Sequence, residues 1–138
     1  MLRRLDAGGT GVTVNDPDTI AEVEALCAQY EKALAENDLD ALDGFFWRDP
    51  NTVRLGVGEN LFGIEEIRTF RQGRSGGSPP REVLRVSVTS FGADFATAHV
   101  LFRRTGQDSI GRQSQSWVRF ASGWRIVSAH VSIMQSFA

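Results

Sequence analysis

The stretch that most constrains the fold is Gly111 to Met134, GRQSQSWVRFASGWRIVSAHVSIM, which holds two strand-like runs separated by Ala121-Ser122-Gly123. Ser-Gly supplies the backbone freedom of a tight turn, so the pattern predicts a long β-hairpin that turns at Ser122-Gly123. Side chains alternate between the two faces of a strand, and a hairpin of this length must bury one face. The rest of the chain is therefore expected to form a layer opposite this hairpin.

The register of the hairpin predicts a polar and aromatic patch that contains Gln115, Trp117 and His130. Strict alternation gives this face Gln113, Gln115, Trp117, Arg119, Trp124, Ile126, Ser128, His130 and Ser132, and gives the other face Val118, Phe120, Val127, Ala129, Val131 and Ile133. A β-bulge would change which residues of the two strands share a face. Whether the patch faces the interior or the solvent therefore stays open. Ligand sites combine aromatic rings with a few polar groups, so the patch is a candidate pocket wall, with a solvated face as the alternative.

The composition is that of one globular domain. The chain has 138 residues, of which 41% are hydrophobic and 23% charged, as in ordinary folded proteins. A net charge of -2 gives no electrostatic reason to expect nucleic acid as a partner, and no stretch has the length of a membrane span. Residues 1–15 lack the apolar core of a secretion signal and are predicted to be a flexible tail before one domain over 16–138. We therefore expect a cytoplasmic protein that does not bind membranes.

The segments before the hairpin predict three helices and additional strands. Asp16-Pro17 is a typical helix start, because Asp caps the first turn and Pro tolerates the first helical position. The expected architecture is α+β, with three N-terminal helices on a strongly curved, mainly antiparallel sheet that forms a cone with an enclosed pocket. The predicted helices run from Pro17 to Ala35, from about Leu39 to Phe46 and from Ile64 to Gly73; strands are predicted over Thr52–Val57, near Leu61, and over Glu82–Phe91 and Phe95–Thr105, after a loop over 73–80.

Several polar side chains are candidates for chemistry, each with a structural alternative. Tyr30 lies on the apolar stripe of the first helix, where its hydroxyl either bonds to the backbone or donates to a substrate. Arg54 occupies the polar phase of a strand, where the residues alone favour a solvated side chain over a carboxylate anchor. Glu59 is a candidate counter-ion for Arg54 or a general base. His130 is a candidate general acid or base, although a lone strand histidine is more often a hydrogen-bonded structural residue.

The other candidates carry weaker signals. Arg71 and Arg112 are candidate anion contacts whose ordinary alternative is a solvated arginine. One cysteine, Cys27, rules out an internal disulfide and falls on the buried stripe of the first helix, where a thiol is a poor nucleophile. With two histidines and no Cys/His cluster, the sequence predicts no metal site. The serines lack the G-x-S-x-G motif of a serine hydrolase.

Three stretches resemble the AtzH-like family, whose members include HpxZ-like proteins of oxalurate catabolism. These stretches are FFWRDPNTVRLGVGENLFGIEEIRTFR, IGRQSQSWV and GWRIVSAHVS. The family belongs to the SnoaL-like superfamily of nuclear-transport-factor-like α+β cones. The resemblance runs from about Val23 to Met134, so it leaves out the N-terminal tail. It implies a homodimer packed through the sheets and a role in breaking down small urea-derived acids.

The resemblance also implies an activity and a site. The family's characterised activity is a cofactor-free decarboxylating amidohydrolase that acts on 1,3-dicarboxyurea alongside amidase-signature enzymes. Its pocket tyrosine and arginine match Tyr30 and Arg54, which favours Arg54 as a carboxylate anchor after all. We therefore expect a hydrolase for carboxylated urea or oxalurate-like acids, without a cofactor. The expected catalytic residues are Tyr30 and Arg54, and the expected substrate-binding residues are Glu59, Arg71, Arg112, Gln115, Trp117 and His130.

Two other functions remain open at this point. One is a non-catalytic dimeric module that binds a small acid or supports a partner amidase. The other is a proton transfer like that of steroid isomerases, which is disfavoured because the chain offers no obvious inward pair of aspartates. A likeness of fold cannot by itself assign a substrate.

Overall fold

The computed structural model describes residues 11–135, so residues 1–10 of the predicted tail and residues 136–138 lie outside the described residues. The predicted order of elements is confirmed. The helices are α1 (Pro17–Glu36), α2 (Leu39–Phe45) and α3 (Ile64–Gly73), and the strands are β1 (Val53–Leu55), β2 (Asn60–Phe62), β3 (Arg81–Phe91), β4 (Phe95–Arg104), β5 (Ile110–Phe120) and β6 (Gly123–Ile133).

The six strands form one curled, open sheet in the order β2-β1-β6-β5-β4-β3. All neighbouring strands are antiparallel except β1 and β6, which are parallel. The helices pack on the inner face, where Val23, Phe46, Ile67 and Trp117 are fully buried. The predicted α+β architecture is confirmed, and the last strand lies beside the short strand that carries Arg54.

Local sequence signals place the helices. Pro17 opens α1, and Asn37 ends it with a left-handed backbone (φ 51°). Asp38 caps α2 through its side chain, which accepts a hydrogen bond from the Ala41 N–H at 3.1 Å. The inner stripe of α1 includes Tyr30, which is buried against the core. In the described part of the chain no helix is both long and apolar enough to span a bilayer, and the cytoplasmic location stays a prediction.

The hairpin differs from its predicted register in two ways. Phe120 pairs with Gly123, so the turn residues are Ala121 and Ser122, one position earlier than predicted. Ser116 pairs with Ser128 while Trp117 pairs with Ile126, which leaves Val127 as the extra residue of a β-bulge. The predicted grouping of Ser128, His130 and Ser132 with Gln115 is therefore wrong. The inner face of the hairpin holds Gln113, Gln115, Trp117, Trp124, Ile126, Ala129 and Val131, all of them buried.

The segment before α1 is attached to the sheet at the end of β3. The Gly92 N–H donates to the Thr13 carbonyl at 2.7 Å, and the Asn15 N–H donates to the Ser90 carbonyl at 3.0 Å. The Asn15 side chain accepts a further hydrogen bond from the Ser90 N–H at 3.2 Å. The predicted flexible tail therefore does not extend to residue 15.

Candidate functional site

A narrow cleft lies where the C-terminal ends of α1 and α3 meet α2 and β1. Three guanidinium groups line it: Arg54 on β1, Arg71 on α3 and Arg74 just after α3. Its volume is about 20 Å³, which is room for about one water molecule. We call it the arginine cleft. The other lining residues are Leu34, Asn37, Leu39, Leu42, Phe70, Gly77 and Ser78.

Arg71 connects the buried Tyr30 to this cleft. Its Nη2 donates a hydrogen bond to the Tyr30 hydroxyl oxygen at 3.3 Å, and both residues are more than nine-tenths buried. The guanidinium also lies 4.8 Å from the centre of the Phe46 ring, a favourable cation–π arrangement. The predicted candidates Tyr30 and Arg71 are thus in contact, and the phenol lies next to a group that faces the cleft.

Asp43 on α2 is the nearest carboxylate to Arg71. The closest approach joins Asp43 Oδ1 and Arg71 Nη1 at 3.6 Å, and Asp43 Oδ2 lies 3.5 Å from Arg68 Nε. These separations are too long for good hydrogen bonds. Within residues 11–135, Asp43 Oδ1 and Arg71 Nη1 are buried without a hydrogen-bond partner. Arg71 therefore keeps an unused donor at the cleft.

Arg54 is held by Glu59, the counter-ion predicted from the sequence. Arg54 Nη1 lies 2.9 Å from Glu59 Oε2, and the two side chains are 12% and 18% exposed. The loop between β1 and β2 positions the carboxylate, because Gly58 N–H donates to Glu59 Oε1 at 3.2 Å and a Cβ at Gly56 would collide with the same carboxylate. The interpretation of Arg54 as a solvated strand arginine is wrong, because its side chain lies mostly under the cleft surface.

Gln115 and Trp117 lie on the inner face of β5, in contact with the aromatic residues around Tyr30. Trp117 Nε1 donates to Gln115 Oε1 at 3.1 Å, and the Trp117 ring meets Phe45 edge-on at 6.3 Å. Phe45 in turn packs edge-on against Tyr30 at 5.5 Å. In the described chain Gln115 Nε2 is buried and has no hydrogen-bond partner, so it presents a spare donor in the interior.

Two predicted site residues lie away from the cleft. His130 is exposed on the outer face of β6 and is paired across the sheet with Ser114, because the bulge at Val127 changes the alternation. Arg112 is exposed on the outer face of β5, where its Nε donates to Ser132 Oγ at 3.2 Å. The structure therefore does not bring His130 and Arg112 together with the residues of the cleft, and their contact with a substrate stays a prediction.

Sequence reasoning missed Arg74, which falls in the stretch GRSGGSPP that reads as a loop. Its guanidinium carbon lies 4.7 Å from the centre of the Phe70 ring, and that of Arg54 lies 5.9 Å from the same ring. Burial, followed by the neighbouring charge of Arg54, lowers the pKa of Arg74. Arg74 lies three residues after Arg71, and this helical spacing at the end of α3 is the signal that could have grouped the two residues.

A wider groove adjoins the cleft along α1. Its volume is about 580 Å³, and its walls come from α1 and from the segment that leads into β3. Arg81 lies in this groove, where its Nε donates to Glu31 Oε1 at 3.0 Å and its Nη2 donates to Gln113 Oε1 at 3.1 Å. A second bond joins Nη2 to Glu31 Oε2, and the guanidinium stacks 4.1 Å from the centre of the Phe102 ring. We call Arg81, Glu31, Gln113 and Phe102 the Arg81 cluster.

Comparisons with known proteins agree with this fold. A protein of unknown function from Pectobacterium atrosepticum is 51% identical, with a TM-score of 0.85 over 88% of this chain and 95% of that one. A cystatin-like fold protein from Burkholderia xenovorans is 44% identical, with a TM-score of 0.86 over 92% of this chain and 100% of that one. A nuclear transport factor 2-like protein from Salmonella enterica has 20% identity and a TM-score of 0.68 over 88% and 94% of the two chains, which shows a shared fold alone.

The family is shown by the sequence profile that matches the chain. A search of curated proteins finds no relative. The profile of the AtzH-like family matches residues 12–137, which is nearly the whole chain and includes every residue of the arginine cleft. Family and fold together support a module that binds or converts a small molecule. The chain belongs to the AtzH-like family.

Proposed function

We propose that the arginine cleft binds a small carboxylated urea or oxalurate-like acid, and that the protein acts on it as a cofactor-free decarboxylating amidohydrolase. The observation that carries this proposal is the hydrogen bond from Arg71 to the Tyr30 hydroxyl. It joins a buried proton donor to the same cleft that holds Arg54. A carboxylate-binding group and a proton donor at one site are what cleavage of an N-carboxylated compound requires.

Arg54 supplies the carboxylate contact in this proposal. One of its donors is engaged by Glu59, and a guanidinium carries five N–H groups in a planar fork. The donors that Glu59 does not occupy suit the two oxygens of a carboxylate. Because the pair is more than four-fifths buried, Glu59 keeps the fork in a fixed orientation before the ligand arrives.

Tyr30 supplies the proton. In the proposed step the bond between the urea nitrogen and its carboxylate carbon breaks, the electron pair stays on nitrogen, and the carbon leaves as CO₂. Nitrogen takes the proton of the Tyr30 hydroxyl, and solvent then returns a proton to the phenolate. Arg71, which already donates to this oxygen, stabilises the negative charge that forms there. Water enters only when the released CO₂ is hydrated.

Gln115 is a further candidate contact, buried on the inner face of β5 and outside the lining of the cleft. Its Oε1 is engaged by Trp117, so its amide has a defined direction and its Nε2 is the unsatisfied group. We assign this donor to a carbonyl oxygen of the substrate. Trp117 then acts as a positioning residue, because it contacts Gln115 and not the reacting atoms.

The test measures CO₂ release from a dicarboxylated urea, because the proposed step needs a carboxylate bonded to nitrogen; oxalurate carries its carboxylate on carbon and serves as a probe of binding. We expect Tyr30→Phe to lower kcat by about 10²–10⁴-fold, because it removes the proton donor without removing the ring. Arg54→Met should lower kcat/KM by about 10–100-fold through loss of the charged carboxylate contact. Arg112→Met removes the same charge from the outer face and should leave both parameters unchanged. If the Tyr30→Phe and Arg54→Met variants both turn over the substrate at the wild-type rate, the proposal is refuted.

The apolar outer face of the sheet favours a second candidate, a non-catalytic dimeric module that holds a small acid or supports an amidase-signature enzyme. The exposed Phe91, Phe95 and Leu101 on the outer sheet face support the proposed homodimer through the sheet. Calorimetric binding of oxalurate with no product formed, on a species that light scattering shows to be a dimer, would favour this candidate.

A further inference from the structure

Arg74 differs from the other two arginines of the cleft in its partners. Arg54 has Glu59 at 2.9 Å and Arg71 has Asp43 at 3.6 Å. Among residues 11–135, the Arg74 side chain forms no hydrogen bond and no ion pair; its one specific contact is the face of Phe70. Of the three arginines of the cleft, Arg74 is therefore the one without a carboxylate within 4 Å among residues 11–135.

The surroundings of Arg74 make this positive charge unfavourable without an anion. Its pKa is lowered by burial first and then by Arg54, with smaller contributions from Arg104 and Arg71 and an opposing one from Glu59. A cation among cations, partly withdrawn from water, gains free energy when an anion binds beside it. Phe70 also brings Arg74 close to Arg54, since both guanidiniums lie over its ring.

The loop that follows Arg74 forms the wall between the cleft and the wider groove. Gly77 and Ser78 line the cleft, while Gly76, Ser78 and Pro79 line the groove. The loop rests against the end of α1, because a Cβ at Gly77 would collide with the Asn37 side chain. A ligand larger than one water molecule would require this wall to move, which would join a space of about 20 Å³ to one of about 580 Å³. Arg74 lies at the start of this wall.

We propose that Arg74 binds the second carboxylate of a small dianion whose first carboxylate is held by Arg54, so that Arg74 sets a preference for dianions over monoanions. This inference rests on the proposed function, in that it assumes Arg54 to be the first carboxylate contact. It adds the residue that determines specificity at the same cleft. The ligand class is a short dicarboxylate with both charges on one small framework.

The test compares malonate with malonamate by calorimetry, because these probes have nearly the same shape and differ by one negative charge. We expect the wild-type protein to bind malonate at least tenfold more tightly. Arg74→Met should weaken malonate binding by about 10–100-fold and change malonamate binding by less than threefold. Arg104→Met removes a nearby charge that does not line the cleft, so it should weaken malonate binding by threefold at most and leave the preference for malonate in place.

The outcomes separate this inference from the function on which it rests. If Arg54→Met abolishes binding of both probes while Arg74→Met changes neither, the inference is overturned and the carboxylate site at Arg54 stands. If Arg74→Met weakens both probes by the same factor, Arg74 acts through general charge and the inference is overturned as well. If the wild-type protein binds neither probe, both the inference and the proposed anion site fail.

Discussion

The arginine cleft and the Arg81 cluster contain the same kinds of side chain but differ in how fully their arginines are hydrogen-bonded. Each places an arginine over a phenylalanine ring and next to an acidic residue. Arg81 binds both carboxylate oxygens of Glu31 and the amide oxygen of Gln113, so its donors are largely satisfied within the protein. In the cleft Arg71 Nη1 lacks a hydrogen-bond partner in the described chain. The Arg74 guanidinium has no carboxylate within ion-pair distance among the same residues. The first arrangement stabilises the fold, and the second leaves binding capacity for a ligand.

The difference teaches that burial alone does not identify a functional arginine. The Arg81 and Arg71 side chains are 9% and 8% exposed, so accessibility cannot distinguish them. What separates them is the number of acceptors within hydrogen-bond reach, because a buried donor without a partner costs free energy that a ligand can recover.

The largest expected effect on stability comes from breaking the satisfied cluster. Arg81→Met leaves the Glu31 carboxylate without its partner and should lower the free energy of unfolding by about 2–3 kcal/mol. Arg74→Met removes an unpaired charge and should leave stability within about 0.5 kcal/mol of wild type, on the stabilising side. Urea denaturation of both variants measures this contrast. Equal losses of stability in both would break the distinction between the two arginine groups.

An intermediate effect is expected where Glu59 orients Arg54. Gly56→Ala places a methyl group against the Glu59 carboxylate, whereas Gly58→Ala meets nothing within 4 Å and is the matched control. Displacement of Glu59 should weaken malonate binding by about fivefold, through loss of one partly buried ion pair. Tighter binding in Gly56→Ala would instead show that Glu59 competes with the ligand for Arg54.

The smallest effect is expected at Cys27, which lies next to the Arg81 cluster. Burial first, followed by the charges of Glu31 and Glu24, raises the pKa of Cys27 to about 12, so the thiol stays neutral and native Cys27 should resist iodoacetamide at pH 8. Arg74→Met should leave the alkylation rate within twofold of wild type, while Arg81→Met should raise it about tenfold for each 1.4 kcal/mol of stability lost. Rapid alkylation of the native wild-type protein would contradict the buried position.

The pH dependence of stability follows from the same raised pKa. The thiol ionises near pH 9 in the unfolded chain and only near pH 12 in the folded one. Its contribution to stability is complete below pH 9 and is lost as the pH rises towards 12, because only the unfolded state then gains from ionisation.

Most of the fold could be predicted from the sequence, because its signals are local. Asp16-Pro17 and Asn37-Asp38 mark helix boundaries through capping and backbone preference, and alternation gives the long strands to within a residue. The bulge at Val127 could not be predicted, since it appears only in the pairing of β6 with β5 and no pattern within β6 marks the extra residue. The attachment of residues 13–15 depends on the edge of β3, which no local pattern in that segment reveals.

The candidate site was predictable only in part. The contact between Tyr30 and Arg71 joins residues 41 positions apart, and family resemblance indicated Tyr30 where periodicity left two interpretations. His130 was misplaced because one extra residue in β6 changes the alternation, and Arg112 because it lies between the inward Gly111 and Gln113. Arg74 was overlooked because its helical spacing with Arg71 runs into a stretch whose composition is typical of a loop.

The bulge also has a consequence for how relatives of this chain diverge in length. Because Val127 has no partner on β5, a chain that lacked this one position would keep every other residue of β6 on its present face. Such a chain would lose the local bend in β6, the strand that pairs with β1 and its Arg54. In an alignment with relatives, a single-residue gap at Val127 would therefore indicate a change in the curvature of the cone. At other positions of β6, a gap would indicate a shifted register.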